Sequence, residues 1–118
     1  MMDLLTRNLK RATYALSGIF YALANDYSYR WQFFGGLVFI TFFILMFQPL
    51  NQTEYLFLGL SWALILITEL QNSSFEAALD RLHPEEHDDI GRSKDMAAGA
   101  VLTAGFFLVF VILMIIFL

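Results

Sequence analysis

The chain contains no cysteine. That excludes a disulfide framework, a thiolate metal site and a cysteine nucleophile, and it leaves the redox compartment open. Basic residues are scarce: 7 Lys and Arg stand against 11 Asp and Glu, for a net charge of -4. No basic stripe is present either, so a nucleic-acid partner is not expected. Phosphate-binding signatures are missing too: no GxxxxGK(S/T) loop, no GxGxxG, and no HRD or DFG triplet. The start, MMDLLTRNLKRATYAL, is amphipathic and charged and does not read as a cleavable signal. Polar surface is also in short supply. Of the 118 residues 58% are hydrophobic, with 13 Phe, which is too apolar for a small soluble domain. Helices that span a bilayer are the natural use of such a composition.

The fold class expected is therefore all-α and integral to a membrane, with residues 1–118 forming a single domain. Leu4 to Ala24 reads as an amphipathic surface helix. Leu5, Leu9, Ala12, Leu16, Ile19, Phe20 and Leu23 fall at helical spacings, and Arg7, Lys10 and Arg11 take much of the other face. A polar break follows at 25–30, where Asn25 or Asp26 is placed to cap the next helix. Three spans are expected at about 31–50, 55–70 and 96–118, with the middle helix continuing past Asp80 until Pro84 ends it. Gly35-Gly36 and the run Ala97 to Ala100 offer small residues for close helix packing. The turn between the first two spans carries no cation, whereas the N-terminus and the 71–95 loop carry all of them. By the positive-inside rule those two segments face the cytoplasm.

The middle helix carries the chemistry. Glu69, Asn72, Glu76 and Asp80 are spaced so that, at about 100° per residue, all four fall within an arc of roughly 80°. Carboxylates at a membrane edge must be paired, hydrated or bound to a cation. The plainer alternative is a helix end turning its wet face to water. On the functional reading, phosphoryl transfer needs a divalent cation across the phosphates, a positive group, and a residue to orient or deprotonate the attacking hydroxyl. Asp26 and Glu76 are candidates to hold Mg²⁺, and Lys94 to meet a phosphate of ATP as a point charge. Glu69 stands nearest the apolar boundary, where poor solvation favours a carboxylate as proton acceptor for a lipid hydroxyl. His83-Pro84-Glu85-Glu86-His87 is not HExxH, and Pro84 disfavours the helix that would align both histidines on zinc.

The motif Glu69-x-x-Asn72-Ser73-Ser74-Phe75-Glu76-x-x-x-Asp80, followed by Gly91-Arg92-Ser93-Lys94-Asp95-Met96-Ala97-Ala98-Gly99, closely resembles the prokaryotic diacylglycerol kinase family, which includes the undecaprenol kinases. Ala15-x-x-Gly18-Ile19-x-x-Ala22-x-x-x-Asp26 resembles that family's surface-helix pattern, so the likeness covers nearly the whole chain. The resemblance implies a homotrimeric enzyme of the bacterial inner membrane, with sites shared between protomers. It would transfer the γ-phosphate of ATP to a lipid hydroxyl with Mg²⁺. It further implies Glu69 as catalytic base and Asp26 and Glu76 as metal and phosphate ligands. Arg7, Glu85, Glu86, His87, Lys94 and Asp95 would lie at the nucleotide, with Asn72 and Asp80 in support.

The chain departs from the family pattern at several places. Asp26 stands where the family usually has Glu, and Gln71 where it has an apolar residue. Leu79 replaces Val, and Ser74-Phe75 replaces a small-then-aliphatic pair. Ser28 and Gln32 stand where the undecaprenol branch has Asn and His. The segment from Asp80-Arg81 through Gly91-Arg92-x-Lys94-Asp95 resembles the diacylglycerol kinase branch and the N-terminal half is closer to the other, so diacylglycerol is the expected acceptor and undecaprenol the alternative. A non-catalytic membrane assembly protein is a second class of reading. A cation channel is a third, disfavoured because the acidic groups cluster at one membrane face.

Overall fold

The structure is a computed structural model that describes residues 2–118. Four helices follow in order: α1 (Met2–Asn25), α2 (Tyr27–Met46), α3 (Gln52–Leu82) and α4 (Asp88–Phe117). The described residues contain no strand. The last three helices are each long and apolar enough to cross a bilayer.

The helix ends differ from the sequence expectation, each for a local reason. Within the polar break at 25–30 only Asp26 leaves the helical conformation, and it is the cap, as expected. Its Oδ1 accepts the Tyr29 N–H at 3.2 Å, so α2 begins at once, four residues before Trp31. At its far end α2 stops at Met46 rather than Leu50, since a residue before proline, here Gln48, is disfavoured in α geometry. α3 opens on a capping box: Asn51 Oδ1 accepts from Glu54 N–H at 2.8 Å, and Glu54 Oε1 accepts from Asn51 N–H at 3.0 Å. It runs 31 residues without a break and ends just before Pro84. α4 starts at Asp88, not Met96. The His87 Nδ1 accepts the Asp89 N–H at 3.1 Å, and Asp88 and Asp89 suit the positive end of the helix dipole. The segment 71–95 is thus two helix ends joined by the short connector 83–87, not a loop.

α3 packs most extensively along α4, less along α2, while α1 makes its main contacts with α2. Ile40, Phe43, Leu58 and Val111 form the buried core, flanked by Ile44, Trp62 and Phe107. Within it the Ser61 hydroxyl is fully buried and donates to Phe57 O at 2.7 Å, the usual way a hydroxyl is satisfied inside an apolar helix bundle. Gly36 serves a close contact between α2 and α3. A Cβ there would stand 2.5 Å from the Trp62 indole, whose Nε1–H donates to Gln32 O at 3.4 Å.

Gly36→Ala therefore has to displace Trp62, with an expected loss of about 1–3 kcal/mol from overpacking. Gly35→Ala, which meets only Trp31 at 3.9 Å, is the matched control. Thermal unfolding in detergent, followed by tryptophan fluorescence, should separate the two. Equal melting temperatures would show that Gly36 does not carry the α2–α3 contact.

Candidate active site

The polar stripe of α3 faces a cavity of about 830 Å³ closed on its other side by α1 and the α1–α2 break. Glu69, Asn72, Glu76 and Asp80 line it from α3, and Asp26 lines it from the break. A single helix register explains how the four α3 groups share one face. Ala15, Gly18, Ile19 and Ala22 of α1 supply an apolar wall opposite them. Glu69 is 4% exposed and lies one turn beyond the buried Ile65, so it marks the apolar end of the cavity.

Several oxygens in this cavity are without a hydrogen-bond donor among the described residues, those of Asn72 and Asp26 among them. Asn72 Oδ1 is buried and accepts no hydrogen bond from any described residue. A buried carbonyl oxygen calls for a donor or a cation. Asp26 uses Oδ1 on the α2 cap, and its Oδ2 accepts no hydrogen bond among the described residues.

A second cavity of about 810 Å³ adjoins the first, and Asp80 lines both. Glu85, Glu86 and His87 of the connector line it, together with Lys94 and Asp95 of α4. The predicted site residues thus fall in two neighbouring hollows: Asp26, Glu69, Asn72 and Glu76 in one, the connector and the start of α4 in the other. Arg7 is exposed on α1 and lines neither.

Lys94 does not project free toward a ligand. Its Nζ donates to Asp80 Oδ1, linking α4 to α3 where the two cavities meet. Lys94 sits in the polar turns of α4 ahead of the apolar stretch that begins at Met96. The hydrogen bond it donates to Asp80, aided by the negative charge of Asp80 and Glu76, holds its ammonium above the ordinary lysine range. Three ammonium protons allow it to keep Asp80 and meet another anion. The other cation of this cavity, Arg92, is paired with Asp89 at 2.8 Å. His83 and His87 are already engaged: His83 Nδ1 lies 3.3 Å from a Glu85 carboxylate oxygen, and His87 Nδ1 caps α4.

Among the described residues no three His, Cys, Asp or Glu side chains converge as a preformed metal cage. The donor set nonetheless suits Mg²⁺, which takes one or two protein carboxylates and fills its remaining positions with phosphate and water. Asp26, Glu76 and the orphaned Asn72 oxygen on one cavity are hard oxygen donors of that kind. Arg30 is the residue of interest that sequence reasoning passed over. It reaches back across the break to Leu23 O and Ala24 O. No motif signals that contact, since its partners are backbone carbonyls of the preceding helix.

Comparison with known proteins gives one consistent answer. The pattern of the prokaryotic diacylglycerol kinase family matches residues 13–116. The chain is 34% identical over 99 residues to the diacylglycerol kinase of Escherichia coli, covering 84% of this chain and 80% of that one. It is 30% identical over 102 residues to the diacylglycerol kinase of Haemophilus influenzae, covering 85% and 83%. Against the Synechocystis diacylglycerol kinase it is 34% identical over 92 residues, covering 77% of this chain and 51% of the other.

The Asp80–Lys94 pair makes a prediction with a definite sign. A lysine held above its ordinary value keeps its partner at lower pH and loses it as pH rises through the folded value. Asp80→Asn should move the Lys94 ammonium titration, read by NMR, back down toward the ordinary lysine range. An unchanged titration would mean that the pair does not form in solution.

Proposed function

Because the chain belongs to the prokaryotic diacylglycerol kinase family, a family of lipid kinases, we propose that it transfers the γ-phosphate of ATP to the hydroxyl of diacylglycerol in a bacterial inner membrane. The observation that carries this reading is the single cavity bordered by Glu69, Asn72, Glu76 and Asp26. Glu69, at its apolar end, accepts the proton of the lipid hydroxyl as the hydroxyl oxygen attacks Pγ. The bond from Pγ to the bridging oxygen breaks, ADP departs, and the product is phosphatidic acid. Asn72 orients Glu69 or Glu76 by donating from its side-chain amide N–H, which leaves its Oδ1 for the cation. Asp26 and Glu76 hold Mg²⁺, which when bound offsets the negative charge of the phosphates.

The nucleotide lies toward the second cavity. Lys94 contacts phosphate while it stays anchored on Asp80, and Asp95, Glu85, Glu86 and His87 border the rest. Arg7 joins the phosphates only if another protomer brings it there, since it lines neither cavity within one chain. The proposed assembly is a homotrimer with shared sites. Supporting it, one protomer offers few walls for a site that must hold both ATP and a lipid headgroup. α1 lies along the membrane surface with Leu5, Leu9, Leu16 and Phe20 toward lipid, and the N-terminus and 71–95 face the cytoplasm.

Two experiments test this. Purified protein in mixed micelles, given labelled ATP, diacylglycerol and undecaprenol together, should label diacylglycerol, and chelation of Mg²⁺ should abolish transfer. Labelling of undecaprenol instead would move the chain to that branch, and labelling of neither would refute the kinase reading. Inactive Glu69→Gln and Glu76→Gln protomers should regain part of the activity when mixed. No recovery in verified mixed assemblies would contradict a shared site.

A further inference from the structure

The break between α1 and α2 is one residue long, and each helix end is closed by a residue from the other side of it. α1 has no basic residue in its last turn, so its final carbonyls need donors from elsewhere. Ala22 O accepts from the Asp26 N–H at 2.8 Å. Leu23 O accepts from Arg30 Nε at 2.9 Å, and Ala24 O accepts from Arg30 Nη2 at 2.8 Å. In the opposite direction Asp26 caps α2 through the Tyr29 N–H. A cation at a helix C-terminus is also favoured by the helix dipole. A guanidinium is planar with donors in fixed directions, so two bonds to two carbonyls define an angle where a single bond defines only a distance.

That angle bears on the site. α1 makes its main contacts with α2, so its direction depends on this joint. α1 carries one wall of the larger cavity and α3 carries the polar groups opposite. Asp26 lies at the pivot itself. Gly18 stands eight residues along α1, about 12 Å from that pivot, so a tilt of about 5° moves the wall there by about 1 Å.

We infer that Arg30 is a positioning residue for phosphoryl transfer: it locks the α1–α2 joint and so sets how Asp26 and the α1 wall face Glu69 and Glu76. Its catalytic consequence rests on the function proposed above, whereas its geometric consequence does not. Arg30 pairs with no carboxylate among the described residues, and its two contacting nitrogens are both spent on α1 carbonyls.

The absence of cysteine makes the test direct. Leu9→Cys and Leu82→Cys, both at exposed positions, take spin labels on α1 and at the end of α3. Labelled chain is diluted into unlabelled chain in lipid nanodiscs, so that each assembly holds one labelled copy. The α1–α3 distance distribution is measured beside lipid phosphorylation for the parent, Arg30→Ala and Arg30→Lys. The parent should give one narrow distribution. Arg30→Ala should shift or broaden it and lower kcat by about 10- to 100-fold, as misplacement of about 1 Å does, with the lipid KM within about twofold. Arg30→Lys keeps the charge without the planar fork and should recover only part of both. An unchanged distribution in Arg30→Ala overturns the inference, and if turnover is lost nonetheless, Arg30 acts on substrate directly. A broadened distribution with full turnover overturns it as well. If Arg30→Ala does not fold, Arg30→Lys is judged by the same two readouts. If the parent transfers no phosphate, the proposed function fails while the distance measurement still decides the joint.

Discussion

Hydrocarbon cannot hydrogen-bond to a backbone, and the architecture of this site depends on that constraint. A helix leaving a bilayer must keep its peptide groups paired internally up to the boundary. α3 meets the requirement by not breaking there: its 31 residues carry it from Gln52 to Leu82 in one register. Glu69, Asn72, Glu76 and Asp80 are fixed relative to one another by that continuity and by nothing else in their own sequence. The neighbouring helices are arranged around it. α4 is tied to α3 by Lys94 on Asp80, α2 is seated on it through Gly36 and Trp62, and α1 is joined to α2 at Asp26.

The two cavities differ in character in a way that fits two different substrates. The larger has Glu69 at its buried end and the apolar side chains of α1 across from it, which suits a lipid hydroxyl arriving from the bilayer. The smaller is bordered by charged groups of the connector and α4, which suits a hydrated nucleotide. Asp80 belongs to both, so the pair it makes with Lys94 stands at the junction of the two cavities.

Much of this was legible in the sequence because it lies within single helices. The acidic face of α3 follows from spacing alone, and the end of that helix from Pro84. Features that lie between elements were less legible. The break at 25–30 and the capping role of Asp26 are legible, but not that the break is one residue long, because polarity marks an interruption without saying where the next helix restarts. The start of α4 at Asp88 was hidden in the same way, since hydropathy reports where a helix enters lipid and not where it begins. The charge of Lys94 points to a phosphate, and only the fold reveals that Asp80, on a different helix, accepts from it. The Arg30 contacts left no trace because backbone carbonyls have no sequence signature.

The central claim is that Glu69 moves the proton in this reaction and that the cavity around it is preformed. The most direct measurement is lipid phosphorylation by Glu69→Gln beside its affinity for ATP. The amide keeps the size of the side chain and removes its ability to accept the proton. The account predicts that turnover falls by about 10²- to 10⁴-fold while ATP binding and helical content are retained. Turnover close to that of the parent in a folded Glu69→Gln protein would contradict it.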